Sequence, residues 1–324
     1  MKSYVVKHKD LATRLASRSG GIFTAVSDKI LEADGFVYGC KLNDKFMAEH
    51  AKAVTVEERN QFRGSKYIQS DKKLVFKDIK ADLLGGHLVL FSGTSCEVAG
   101  LLKYLGKIAE SDNLITIDIV CHGVPSPLVW DKYLDYCKDK AKDDIESVQF
   151  RNKIDFGWAS HFETIKFRNG DVINSRDFSS IFYSHYCLRP SCYHCPYKKI
   201  THPGDLTIAD CWGIGRSKPE FNDNKGVSLV LVNTIKGEKW FDRVTDDINF
   251  FECDINDYMQ QPFIKPCKVN ESNRKRFWNY IHTKPFCDVV NTYGNNSIEE
   301  KTKRILHKIL PSYFIHRLKT LLGR

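Results

Sequence analysis

Apolar residues recur at helical spacing over residues 20–33, where Ile22, Phe23, Val26, Ile30 and Leu31 share one face. Ser19 is the expected N-cap, and Gly35 closes the helix. Residues 36–40 then read as a buried strand, and shorter helices are expected over 56–62 and 74–84. The most regular stretch follows. It reads as a strand over 87–91, a turn over 92–95, a helix over 96–105, a strand over 114–120, a loop over 121–127 and a helix over 128–138. Such alternation implies parallel pairing with right-handed crossovers.

After Asp144 the period changes. Residues 148–152 and 161–167 alternate like antiparallel strands, and Asn169-Gly170 is a hairpin signal leading to Val172-Ile173. A helix over 179–186, a cysteine-rich loop over 188–204, strands over 206–209 and 227–232 and a helix over 237–244 complete the reading. The fold class expected is α/β: a mixed sheet with a parallel strand–helix core, an antiparallel insertion and a C-terminal helical tail.

The 324 residues, 42% hydrophobic and 27% charged, allow a sizeable core and exclude wholesale disorder. No apolar run approaches the roughly 18 residues of a spanning helix, and the basic N-terminus lacks the apolar core of a secretory signal. A cytoplasmic protein is therefore expected. Of the net charge of +9, residues 298–324 carry +5, from seven basic and two acidic residues. The body is only mildly basic, which gives no reason to expect nucleic acid. Apolar stripes among these charges (Ile305, Leu306, Ile309, Leu310, then Phe314, Ile315, Leu318, Leu321, Leu322) fit peripheral contact with anionic lipid, or a terminal helix packed on protein.

Eleven cysteines change the picture. In a reducing compartment they argue for metal ligation or redox chemistry rather than disulfides. Cys192-Tyr-His-Cys195-Pro196 is a C-x2-C step followed by proline, half of a metal site. Cys96 and Cys121 each open a loop after a strand of the parallel core, where such sheets carry their working groups, so they are the natural partners. Cys187 and Cys211 stand in reserve, whereas Cys40 and Cys137 fall in apolar patterns. The spacing itself leaves an iron–sulfur cluster, structural zinc and redox-active thiols open.

Five motifs in order carry a resemblance: Ser19-Gly20-Gly21, Gly64-Ser65-Lys66-Tyr67, Gly93-Thr94-Ser95-Cys96, Cys121-His122-Gly123-Val124-Pro125-Ser126-Pro127, and the Cys187 to Cys195 run. Over about residues 14–245 the chain resembles the beta-subunit family of the coenzyme F-420-reducing hydrogenases and dehydrogenases. The resemblance implies FAD and a [4Fe-4S] cluster, with Cys96, Cys121, Cys192 and Cys195 as ligands. It divides the chain into a flavin-binding part (1–86), an iron–sulfur and flavin part (87–255) and an extension with the basic tail (256–324). It differs from longer members in having no ferredoxin-type cysteine run before Ser19. Electrons are thus expected from a separate, ferredoxin-like donor protein or a reduced soluble cofactor, and pass to or from a small-molecule substrate.

Flavin contacts are expected at Ser19, Gly20, Gly21 and Thr24, where free helix amides suit a phosphate; an ordinary N-cap is the plain alternative. Gly64, Ser65, Lys66 and Tyr67 offer a turn, a cation and an aromatic ring, or simply a solvated turn. Gly93, Thr94 and Ser95 place amides and hydroxyls beside Cys96. His122 is the candidate to shuttle a proton to reduced flavin or to donate to a cluster sulfur, with an ordinary loop histidine as the plain alternative. Arg189, Lys198 and Lys199 flank the C-x2-C step and would offset an anionic cluster or bind an acidic donor, unless they form a solvated basic loop. The leading expectation is an iron–sulfur flavoprotein oxidoreductase joining a one-electron donor to a two-electron substrate. The alternative is a zinc-stabilised binding or scaffold protein without redox activity.

Overall fold

A computed structural model describes residues 1–295, 297, 301 and 302, so nearly all of the amphipathic tail over 298–324 lies outside the described residues. The strands in chain order are β1 (Lys2–His8), β2 (Phe36–Leu42), β3 (Ala48–Ala53), β4 (Val89–Thr94), β5 (Leu114–Ile119), β6 (Ile145–Gln149), β7 (Glu163–Phe167), β8 (Val172–Ser175), β9 (Leu206–Asp210), β10 (Ser228–Val232) and β11 (Ile248–Glu252). The chain forms two compact units. The first is Met1–His122, Phe150–Ser160 and Cys195–Pro266; the second is Gly123–Gln149, His161–His194 and the chain from Cys267.

The first unit holds an eight-stranded sheet in the order β11-β1-β10-β9-β5-β4-β2-β3. Strands β2, β4, β5 and β9 run parallel, as the strand–helix alternation implies. Strands β10, β1 and β11 extend one side antiparallel, and β3 does so at the other. Period-two alternation divides the core between the two faces. Leu90, Ile115, Ile117 and Val230 pack with Val26 and Ile30 of the Ile22–Glu32 helix. Val89, Phe91 and Leu114 face the opposite way, against Ile79 of the Val75–Leu84 helix and Leu101 of the Ser95–Leu105 helix. Covered on both faces, the central strands read as nearly unbroken apolar runs.

Several elements differ from the sequence reading; the strand expected over 148–152 is β6, three residues earlier, and the helix expected over 179–186 is Asp177–Tyr183. Gly93 and Thr94 belong to β4 rather than to a turn, because Gly93 pairs with Asp118 and Thr94 with Ile119. Strands β1, β3 and β11 were not expected. Ser19 is not the N-cap of the Ile22–Glu32 helix: that position is Gly21, at φ +94°, with no side-chain cap. The Ser19 hydroxyl instead donates to the Val227 carbonyl at 2.5 Å.

The second unit is built on the β6-β7-β8 antiparallel sheet, turned at Asn169-Gly170, where Gly170 has φ +90°. Trp130 of the Pro127–Ala141 helix meets Phe178 edge-on at 4.6 Å. In the same unit Glu163 is buried. It accepts from the Phe178 amide at 2.8 Å, and burial pushes its pKa up to about 8. The folded chain thus holds a proton here that the unfolded chain releases near the ordinary carboxylate pKa of 4.5. Stability should fall as pH rises from about 4.5 to 8, by at most about 1.4 kcal/mol per pH unit from this group. Glu163→Gln keeps the acceptor without ionising, so its urea-denaturation midpoint should decline less across that window than the parent's.

Candidate functional site

The carboxyl edge of the parallel strands gathers most of the expected chemistry of the first unit. Strand β4 ends at Thr94, and the Ser95–Leu105 helix starts at the next residue because Glu97 turns back to accept the Thr94 amide at 2.8 Å. This puts Cys96 in the first helical turn, exposed, with its sulfur 3.2 Å from the Thr94 hydroxyl. Strand β5 ends in register with β4, so Cys121 emerges beside it. Strand β9 runs parallel to β5, and Asp210-Cys211-Trp212 leaves the same edge.

Cys195 lies in the first unit, on the segment that leads to β9, while Cys192 lies in the second unit, in the short Pro190–His194 helical turn. Lys198, three residues after Cys195, is buried, whereas Arg189 and Lys199 are exposed. Its ammonium donates to the carbonyls of Cys121 and, at 2.8 Å, of His122. Lys198 is thus a buried bracket between two cysteine-bearing segments, and the solvated-loop reading fails for it. The reserve thiols sit in apolar packing. Cys187 is fully buried and burial pushes its pKa up to about 12, and burial raises that of buried Cys211 as well. Buried thiols of this kind pack as small hydrophobes.

Below Cys96 lies a group that sequence reading missed. His202 presents Nδ1 to Asp118 at 2.9 Å and to the Ser95 hydroxyl at 3.0 Å. Asp118 is fully buried and also accepts from the Thr207 hydroxyl at 2.5 Å. The other ring nitrogen of His202, Nε2, is buried without a hydrogen-bond partner.

The glycine motif occupies the same edge, since Gly20 packs on Val6 of β1 and Ser228 of β10. Its amide donates to the Ser228 hydroxyl at 2.8 Å, and a Cβ there would lie 2.2 Å from the Val6 carbonyl oxygen. The missing side chain therefore serves strand contact. The first turn of the Ile22–Glu32 helix keeps its amides free of a side-chain cap. Arg63, another residue not singled out from sequence, donates from Nε to the buried Thr24 hydroxyl at 3.2 Å and brings a half-buried cation to this turn. Buried Lys153 fastens the preceding loop by donating to the Arg14 carbonyl at 2.6 Å and the Ser17 carbonyl at 2.7 Å.

Lys66, expected as a cation for phosphate, is turned inward on its own loop. Its ammonium donates to the carbonyls of Gln61, Arg63 and Gly64 at 2.8, 2.9 and 3.2 Å, and burial pushes its pKa down to about 8. Gly64 has φ +77° with open space where a Cβ would stand, and the Tyr67 ring meets Phe150 edge-on at 6.0 Å.

The residues fit the groups that the motifs imply. Thiols follow successive strands at one edge, a buried cation is hydrogen-bonded at the Cys121 carbonyl, and uncapped helix amides lie along the same edge with an arginine. The chain belongs to the family defined by the C terminus of the coenzyme F420 hydrogenase/dehydrogenase beta subunit, which it matches over residues 86–257. No curated protein matches. The fold is similar to that of a chain in the xenon-derivatised F420-reducing [NiFe] hydrogenase complex from Methanosarcina barkeri, at 18% identity and a TM-score of 0.53, covering 87% of this chain and 88% of that one. The family gives the protein an oxidoreductase role. No helix among the described residues is long and apolar enough to cross a membrane.

Proposed function

We propose that the protein is an iron–sulfur flavoprotein that passes electrons between a one-electron donor and a hydride-type small-molecule substrate. Cys96, Cys121, Cys192 and Cys195 hold a [4Fe-4S] cluster. The amides after Gly21, with Thr24 and Arg63, receive the phosphates of FAD, and the loop at 64–67 and the strand–helix junction at 93–95 adjoin its remainder. FAD, when bound, supplies the exchange between hydride and single electrons that joins the two kinds of partner. His122, next to a ligand cysteine, moves a proton to or from the substrate side. The donor is a separate ferredoxin-like protein or a reduced soluble cofactor. The observation that carries the reading is the convergence of the Cys96 helix start, the Cys121 loop and the uncapped Ile22–Glu32 helix on one edge of the sheet.

Anaerobic purification with an absorbance spectrum and iron, sulfide and flavin assays tests it. The expected result is a yellow-brown protein with about four irons and four sulfides per chain, on the four-thiolate logic. FAD should be released on denaturation. A colourless protein with stoichiometric zinc and no flavin would overturn it in favour of a scaffold.

A further inference from the structure

The segment from Cys195 to β9 makes two attachments that a plain connection would not need. Lys198 reaches back to the chain at Cys121 and His122, and its buried ammonium donates to both carbonyls. Four residues later, His202 reaches the Ser95 hydroxyl, one residue before Cys96. A lysine buried at 7% exposure loses hydration that two carbonyls replace only in part, so its position is held at a cost and needs a cause. His202 is fixed more firmly still. Asp118 stands between Gly93 of β4 and Thr207 of β9 in the sheet, and its carboxylate anchors the Nδ1–H of the ring. A carboxylate on one ring nitrogen fixes the orientation of a histidine ring. Nε2 of His202 is the nitrogen left over.

We propose that Lys198 and His202 are the positioning residues of the cluster site. They fasten the Cys195 segment to the Cys121 loop and to the helix start that bears Cys96. This inference rests on the iron–sulfur reading above. Three thiolates brought to one place repel one another, and a flexible segment would let them part. Lys198 opposes that with a positive charge at the Cys121 carbonyl, and His202 with a rigid link from β5 through Asp118 to Ser95. Lys198 also fixes a cation beside a centre whose thiolates and sulfides are anionic. Net charge and hydrogen bonding near the cluster set its potential, so this lysine makes the cluster easier to reduce.

The test uses the full chain, purified anaerobically with its cluster, as parent, Lys198→Met, His202→Leu and His202→Asn. Asparagine retains a polar group near the Nδ1 position, whereas leucine does not. Two quantities are read: the rate of iron loss to excess EDTA and the midpoint potential from a dye-mediated titration followed by electron paramagnetic resonance. Iron should leave Lys198→Met and His202→Leu about tenfold faster than the parent, the usual scale for residues that orient metal ligands. His202→Asn should return most of the way to the parent rate, which a general loss of packing would not predict. The potential of Lys198→Met should move to a more negative value. Should Lys198→Met fail to fold, Lys198→Gln, which keeps a donor and removes the charge, carries the same expectation for the potential. Parent-like iron loss and potential in the Lys198 and His202→Leu variants would overturn the proposal while leaving the cluster in place. A parent without iron–sulfur absorption would remove the underlying reading instead, and the two failures are told apart by the parent's spectrum alone.

Discussion

Cys195→Ser should strip most of the bound iron from the purified protein, and a Cys96→Ala, Cys121→Ala double variant should do the same, while Cys137→Ser keeps a full complement. Cys96 and Cys121 leave neighbouring parallel strands at one edge, and Lys198 binds the Cys195 segment to Cys121. Cys96 is exposed and Cys121 and Cys195 are partly so, as ligands of a centre that exchanges electrons with a partner need to be. Cys137 is a different chemical object. It is 1% exposed in the Pro127–Ala141 helix, and burial pushes its pKa up to about 12. A thiol of that kind is a small hydrophobe, and serine in its place costs packing without touching metal. Full iron content in the double variant would sink the proposed ligand set, whatever the colour of the parent.

The central strands with both faces buried were legible in the sequence. Residues 114–119 and 228–232 announce themselves as largely apolar runs because both faces of the sheet are packed there. Strand β1 did not announce itself. Its sequence, Lys2 to His8, reads as a basic N-terminus, yet Val5 and Val6 are fully buried because each side of the strand pairs with a partner more than 200 residues away. Strand β3, Ala-Glu-His-Ala-Lys-Ala, has a helix-former's composition, and pairing with β2 along its whole length overrides that preference. The Glu271–Thr283 helix escapes a sequence reading because it buries little, chiefly Phe277 and Ile281, and so shows no wide apolar stripe.

The site divides in the same way. The cysteines were legible because thiols at short spacing are chemically unusual and because the strand pattern located their loops. Lys198 was seen, but its direction was not: sequence alone cannot separate a lysine aimed at two carbonyls from its exposed neighbour Lys199. His202 gave no signal at all. Its partners, Asp118 and Ser95, lie 84 and 107 residues away, and only parallel pairing of β4, β5 and β9 brings them together. Arg63 had a weak cue, since it immediately precedes the Gly64-Ser65-Lys66-Tyr67 motif, but the lysine inside that motif is the more conspicuous cation.

Gly20→Ala should destabilise the whole chain, and this separates a structural role from a ligand-binding one for the glycine motif. The new methyl carbon would stand 2.2 Å from the Val6 carbonyl oxygen and 2.6 Å from the Ser228 amide nitrogen. Both are backbone atoms of paired strands, so neither can yield without moving β1 or β10. Overpacking of this kind costs at least about 2 kcal/mol. Gly64→Ala makes the matched control. Its φ of +77° strains an alanine by about 1 kcal/mol, but nothing lies within 4 Å of the added carbon. Thermal melts of both variants should therefore show Gly20→Ala unfolding well below Gly64→Ala, with FAD lost from Gly20→Ala only as the protein itself unfolds. A Gly20→Ala protein that melts with the parent yet releases its flavin would reverse the assignment, making the glycine a phosphate contact and the strand contact incidental.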